Sequence, residues 1–405
     1  MTFTLKQLSE SVSDPKEEGR LYDEMLGLRE RFPGTMLSVK SGNRDEEIRR
    51  AHTALTLILD RILAIRDVTS GEPGHGPGHW CRDYIHALRL AHDPELEPRH
   101  ILPCILGGTL HDIGTLFLDR YADKGRAFRH AEAAALIVRA AALESGALNP
   151  DEVDLVAYTV AAHTHYLKAS EVECADGVKR AIAPYVDTDG AGPLLAVWMP
   201  RWADRLDCSG PCFPGRHYLT LDRDHEDYGQ GGFYKVSFAE HMAPTLRTSE
   251  EIKAAGGRQT MLEHMRMFAA SQSDNSPYGV HDRGLMVKLR DIYRESLEHI
   301  IYQVAHPSDV NEERIAKLWT RFLGKNVEPS RLGTETAEKL DKAFTRLDPD
   351  TRRAWSCGFR ACTTEYLAWS DRILTFLATL PVEFRLLPGI GDIRSVIVPV
   401  DMYWL

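Results

Sequence analysis

In RDEEIRRAHTALTLILDRILAI (44–65) apolar side chains fall at 51, 55, 58, 59 and 62. Steps of three and four mark one face of a helix. GEPGHGPGH (71–79) interrupts that pattern with Gly and Pro, which end helices, and WCRDYIHALRLAH resumes it. EPRHILPCILGGTLHDIGTLFL (97–118) is apolar almost throughout. It predicts a buried core helix, because no stretch of the chain approaches the ~20 apolar residues of a membrane span. RHAEAAALIVRAAALESGAL (129–148) is Ala-rich, with its polar residues spaced as one face. NPDEVDLVAYTVAAHTHY (149–166) opens with Asn149 as N-cap, Pro150 at the first helical position and two acids in the first turn. GPLLAVWMPRWADRLDCSG (192–210) predicts a further helix that Pro200 kinks or restarts.

Past residue 210 the pattern changes. PCFPGRHYLTLDRDHEDYGQGGFYKVSF is rich in Gly, Tyr, His and Asp, with short strands expected at 217–221 and 233–238. It reads as an ordered insertion or a lid carrying His217, Asp222, Asp224, His225 and Tyr228. Helical patterning returns from about 282 to 385, and the tail RSVIVPVDMYW predicts one strand. The expected fold class is mainly α: an N-terminal helical extension (1–70), a helical core (71–210), the short β-containing insertion or lid (211–260) and a C-terminal helical region completing the fold (261–405). There is no internal repeat and no Gly-rich phosphate loop.

Composition narrows the partners. Hydrophobic residues make up 43% and charged residues 27%, which fits a globular protein with a sizeable core. The net charge of −10 argues against bulk binding to nucleic acid or an anionic membrane, while leaving room for a local basic pocket. Seven scattered cysteines do not suggest a disulfide framework, and Cys208 and Cys212 form a C-x3-C pair with no second pair nearby. The polar, acidic N-terminus lacks the apolar stretch of a signal peptide, so the cytoplasm is the expected compartment.

Nine of the seventeen histidines fall in residues 75–165, so candidate chemistry concentrates there. On the helix at 150–166, Val153, Val156, Val160 and His163 form one stripe; His165 lies about 200° from His163. His163 therefore faces the core, as a metal ligand or as a satisfied structural histidine. His111 and Asp112 stand together in an apolar run, where a titratable pair is costly to bury uncompensated. Imidazole plus carboxylate suits Zn²⁺, Mn²⁺ or Fe²⁺, and a helix-end cap is the other reading. Asp204 lies in RWADRLD between Arg201 and Arg205, as a ligand or as half of a surface ion pair. His79 opens a helix with Arg82 at i+3, as a ligand or as a loop histidine.

Taken in order, His79, His111-Asp112, His130, His163 and Asp204 resemble the H…HD…H…H…D pattern of the HD-domain superfamily of metal-dependent phosphohydrolases. GHWCRDYIHALRLA resembles the first motif, with an Arg three residues after the His. GTLHDIGTLF resembles the HD segment, and RWADRLD the last motif. The likeness covers about residues 75–210. It implies an HD-type helical bundle in which His79, His111, Asp112 and Asp204 hold one ion and Asp112 bridges to a second held by His130 and His163. The ions would be one or two divalent metals, among Mn, Fe, Zn, Co, Ni and Mg. The cyclic-dinucleotide branch carries a Lys after HD-Ile-Gly and a Gly-Tyr-Pro signature with paired histidines. Thr115 and His163-Thr-His165-Tyr stand there instead, which points away from a cyclic dinucleotide.

The resemblance implies hydrolysis of a nucleotide or another phosphate ester by a metal-activated water, with His111 and Asp112 central. Arg82 and Arg205 would act as phosphate clamps, with Lys124 a further contact to a small anionic, phosphorylated substrate. The same ligand set also occurs in HD-type di-iron oxygenases that cleave C–C or C–P bonds; a degenerate HD module that only binds or regulates is a third reading, ranked last because all six ligand types are present. The C-terminal region could supply a homodimer surface. The face assignment makes one prediction. His163→Ala is expected to strip metal and turnover while His165→Ala keeps most of both; elemental and activity assays check this, and equal losses overturn it.

Overall fold

The computed structural model describes residues 4–12, 42–68, 75–118 except 95, 126–164, 171–173, 176–181, 200, 203, 204, 207, 313 and 375–397, with scattered positions between 14 and 27. Helix predominates among them, so the fold is mainly α. The chain divides into two compact units. The first comprises Met1–Asp204, Tyr278–Met286 and Val382–Ile393; the second comprises the rest.

In the first unit, α1 (Leu5–Ser11), α2 (Arg44–Leu63), α3 (Pro77–Ala91), α4 (Ile101–Leu110), α5 (Arg126–Ser145) and α6 (Pro150–Ala161) pack around α4, which lies against α2, α3 and α6. α2 starts where Asn43 accepts a hydrogen bond from the Glu46 N–H, with Asp45, Glu46 and Glu47 at the positive end of the helix dipole. Its buried face runs through Ile48, Ala51, Leu55, Ile58, Leu59 and Ile62, the spacing the sequence predicted. α6 carries the predicted start: Asn149 and Glu152 form a reciprocal capping box and Pro150 occupies the first turn.

Polar ties fix the helices against one another. Arg44 donates to the carbonyls of Ala91 and Leu96 (2.6 Å each), satisfying the C-terminal end of α3 and the turn beyond it. Arg50 binds Glu47 (2.7 Å) and Glu152 (2.5 Å), joining α2 to the first turn of α6. Leu5 N–H donates to Glu144 Oε1 (2.7 Å), anchoring α1 on α5. The returning segment Val382–Arg385 brings the Phe384 ring edge-on to His52 of α2, 5.0 Å between centroids.

All ten residues of α4 are buried. Each fully buried Leu or Ile contributes about 1.5–3 kcal/mol. Ile101, Leu102, Ile105, Leu106 and Leu110 together can therefore offset the cost of holding polar groups at the helix end. The predicted single helix over 97–118 is broken, however. A 3₁₀ turn (Pro98–His100) precedes α4, and after Leu110 the chain passes through His111 and Asp112 into a second 3₁₀ turn (Ile113–Leu116). Asp112 has φ −97° and ψ 3°, outside the helical basin. The His111 ring takes the Gly108 carbonyl (2.9 Å) and the Thr115 hydroxyl takes the Asp112 carbonyl (2.8 Å). Side chains thus satisfy carbonyls that helical N–H groups would have bonded.

Two small antiparallel hairpins went unpredicted: β1 (Glu171–Glu173) with β2 (Lys179–Ala181), and β3 (Leu386–Leu387) with β4 (Gly391–Asp392). Strands this short leave too little alternation to be read. In the second unit, Arg394–Ile397 forms a helical turn, α7, where RSVIVPVDMYW predicted a strand. A β-branched stretch is only a weak prior, since strand preference depends on a pleated neighbour to pack against. The predicted insertion or lid at 211–260, with its strands, and most of the predicted C-terminal helices lie outside the described residues.

His100, 3% exposed, sits just before α4. Burial pushes its pKa down to about 4, and Arg99 adds to the effect. Below its ordinary value of 6.5 the unfolded chain takes up a proton that the folded chain refuses. Stability is therefore lost as pH falls from 6.5 toward 4, by up to about 3 kcal/mol. His100→Gln is expected to flatten that part of the melting-temperature profile; a slope equal to that of the unsubstituted protein refutes the assignment.

Candidate metal centre

The C-terminal end of α4 is where four other segments meet, and glycines make the approach possible. A Cβ on Gly107 would strike Pro200 and lie 3.0 Å from Thr159 of α6. A Cβ on Gly108 would stand 3.3 Å from both Ala87 of α3 and Ala203. A Cβ on Gly114 would collide with the His130 carbonyl and lie 2.6 Å from the Ala134 nitrogen, so the second 3₁₀ turn rests directly on the backbone of α5. GGTLHDIG thus places His111 and Asp112 against the elements that carry His79, His130, His163 and Asp204.

His79 and His111 point their Nε2 atoms at each other, 3.2 Å apart. Asp112 Oδ2 lies 3.2 Å from His79 Nε2 and 3.3 Å from His111 Nε2. Asp204 Oδ1 lies 3.6 and 3.9 Å from the same two nitrogens. The other oxygen of Asp112, Oδ1, stands 3.5 Å from His130 Nε2 and 3.5 Å from His163 Nε2, which are 3.0 Å from each other. One carboxylate therefore faces two pairs of imidazoles, one pair with each oxygen. His163 sits in a 3₁₀ turn (Ala162–Thr164) that extends α6, and His130 on the first turns of α5.

These side chains are withdrawn from water: His79 is 1% exposed, His111 0%, Asp112 2% and His163 3%. His111 Nδ1 contacts the Gly108 carbonyl and His163 Nδ1 the Val160 carbonyl (2.6 Å). Carbonyls accept, so Nδ1 carries the proton in both rings and Nε2 is left as a lone pair facing the cluster. The sequence posed cap against ligand for His111. Nδ1 closes the helix end, and Nε2 faces the cluster.

The electrostatics favour the metal-binding forms of Asp112 and His163, whereas His111 is drawn toward its protonated form, which an ion would have to displace. Burial raises the pKa of the Asp112 carboxyl, but the neighbouring imidazoles of His111 and His75 outweigh it and hold the group well below the usual carboxylate range. Burial lowers the pKa of His163 more than Asp112 raises it, so that ring stays neutral. For His111, burial is outweighed by the carboxylates of Asp112 and Asp204, and its pKa rises. An ionised carboxylate and a neutral imidazole are the forms that bind metal.

The distances fit donors around an ion. At about 2.1 Å from one centre, donor atoms stand roughly 3.0 Å apart when adjacent and about 4.2 Å when opposite in an octahedron. The separations among the Nε2 and carboxylate oxygen atoms, 3.0–3.9 Å, fall in that interval. His79, Asp83, His111 and Asp204, and separately His111, Asp112 and His163, bring ligand atoms within 4.8 Å of one another. These buried His/Asp groups are able to hold a metal ion.

Two residues escaped the sequence reading. Asp83, 0% exposed, places Oδ2 3.0 Å from His79 Nε2 and 3.7 Å from His111 Nε2. Its signal was present: His79 and Asp83 are four apart, on one face of α3. His75, whose side chain is 23% exposed, lies 3.9 Å from Asp112 Oδ2; its position in a Gly/Pro loop gave no periodicity to read. Arg82 is buried on α3 at 5% exposure. Lys124, Arg205 and His165 lie outside the described residues.

The chain matches no family model, no curated protein and no solved structure. No helix among the described residues is long and apolar enough to cross a membrane.

The close approach at Gly114 is testable. Gly114→Ala sets a Cβ against α5 backbone, which cannot swing aside as a side-chain tip can. It is expected to cost about 1–3 kcal/mol and to lower bound metal by displacing His130. Calorimetry and elemental analysis read both, and unchanged values contradict the packing described.

Proposed function

We propose that the protein is a metal-dependent phosphohydrolase of the HD type, acting on a nucleotide or another small phosphate ester. The observation that carries this reading is the Asp112 carboxylate, with Oδ2 toward His79 and His111 and Oδ1 toward His130 and His163. It gives a physical reason for the H…HD…H…H…D order: the six residues supply two adjoining ligand positions with one shared carboxylate. Divalent ions held there supply Lewis acidity toward phosphoryl oxygens and a nucleophilic water at neutral pH.

The chain's own residues do the rest. The backbone carbonyls of Gly108 and Val160 orient the rings of His111 and His163 so that Nε2 of each serves the centre. Asp112 stays ionised and orients both halves. The apolar wall of α4 keeps bulk water from the buried side and so strengthens the charges. His75, with its side chain 23% exposed, stands 3.9 Å from Asp112 Oδ2 at the more open side of the group. Arg82, one turn after His79 on α3, would neutralise the phosphate, with Arg205 and Lys124, outside the described residues, as the other cations the sequence offers.

One observation favours a second reading. His130, His163 and Asp112 form a two-histidine, one-carboxylate set, which also suits non-haem iron and so an HD-type oxygenase cleaving a C–C or C–P bond.

A panel of nucleotides and phosphate esters with Mn²⁺ or Co²⁺ tests the proposal. Phosphate release is expected, lost roughly 10²-fold or more in His111→Ala and Asp112→Ala together with bound metal. Either variant keeping full metal and turnover would sink it. Iron in the purified protein with a visible absorption band and oxygen consumption, and no phosphate release, establishes the oxygenase instead.

A further inference from the structure

Asp83 is a buried carboxylate beside His79 and His111 that the H…HD…H…H…D order does not include. It lies on α3, one turn after His79, and its side chain has no exposure to solvent. We propose that Asp83 is itself a metal ligand. The position shared by His79 and His111 then has the carboxylates of Asp83 and Asp204 with two imidazoles, and becomes a tight site for a hard, oxygen-preferring divalent cation such as Mn²⁺. This rests on the metal-centre reading above and refines it.

The argument turns on which nitrogen Asp83 addresses. A carboxylate that merely orients a ligating histidine binds the ring nitrogen turned away from the metal. Asp83 Oδ2 instead lies 3.0 Å from His79 Nε2, the nitrogen that faces His111 Nε2 at 3.2 Å and Asp112 Oδ2 at 3.2 Å. Its 3.7 Å to His111 Nε2 is a second donor–donor separation of the kind one ion imposes. Asp83 also shares a group of mutually close ligand atoms with His79, His111 and Asp204.

Two consequences follow from the count of donors. Carboxylates are hard donors, so Asp83 added to Asp204 shifts the preference of the first position from Zn²⁺ toward Mn²⁺. The second position holds only His130, His163 and the far oxygen of Asp112. With less negative charge and fewer protein donors it binds more weakly, exchanges its ion sooner and leaves coordination sites for water and substrate. The two halves are unequal: the first is a resident, structural-grade site and the second the working one.

Metal titration of the full chain, with Mn²⁺ and Zn²⁺ separately, tests this by calorimetry and elemental analysis. The unsubstituted protein is expected to bind two ions in steps at least about 10²-fold apart in affinity. Asp83→Asn is expected to weaken the tight step by tenfold or more for Mn²⁺ and distinctly less for Zn²⁺. His130→Gln is expected to weaken only the looser step. Equal losses for both metals would mean that Asp83 acts through His79 and is not a ligand; no loss removes it from the centre altogether. An unsubstituted protein that binds neither ion overturns the metal-centre reading itself. Metal-free Asp83→Asn is expected to melt no lower than the metal-free parent, because a buried negative charge has been removed. A markedly lower melting point assigns Asp83 a structural role and overturns the proposal.

Discussion

The Asp112 carboxylate, shared between two pairs of imidazoles, is the constraint on which the arrangement of this core depends. A buried anion needs compensation on both oxygens, and the compensating rings come from three different places: α3, the end of α4, and the paired ends of α5 and α6. Each must arrive within about 3–4 Å of one point. That requirement fixes where α4 stops, why the backbone at Asp112 leaves the helical basin, and why glycines rather than larger residues flank the pair.

The surrounding helices make such a site tolerable. α4 is buried along its whole length, and the Ala-rich α5 lets its backbone come close to the 3₁₀ turn carrying Gly114. The apolar area removed from water offsets the desolvation of the polar cluster, and the same dry wall strengthens every charge inside it. Backbone carbonyls at Gly108 and Val160 then finish the preparation by fixing the tautomers of His111 and His163. The site is thus built from ordinary helix-end chemistry, with a C-terminal carbonyl in each case taking an imidazole N–H.

Much of this was legible in the chain. The start of α6 follows from Asn149-Pro150 with Glu152, because capping is local and needs only neighbouring residues. His163 was legible from its place on the Val153, Val156 and Val160 stripe. Other features were not. The break after Leu110 is invisible in an apolar run, since periodicity cannot tell a continuous buried helix from one that ends against a neighbour. Asp83 looked like one more polar residue beside Arg82, and only the burial of α3 on every side shows it turned inward. His75 belongs to a loop, where no repeat assigns a face.

The sequence alone determined the helical class, the caps and an ordered set of metal-competent residue types, because these depend on spacing along a chain of known geometry. The tertiary structure decided which of them share a point in space: it joined His79, Asp83, His111, Asp112 and Asp204 on one side and His130 and His163 on the other. Such convergence depends on how closely helices approach, and that is set by Gly107, Gly108 and Gly114 meeting residues as distant in sequence as Pro200 and Ala203.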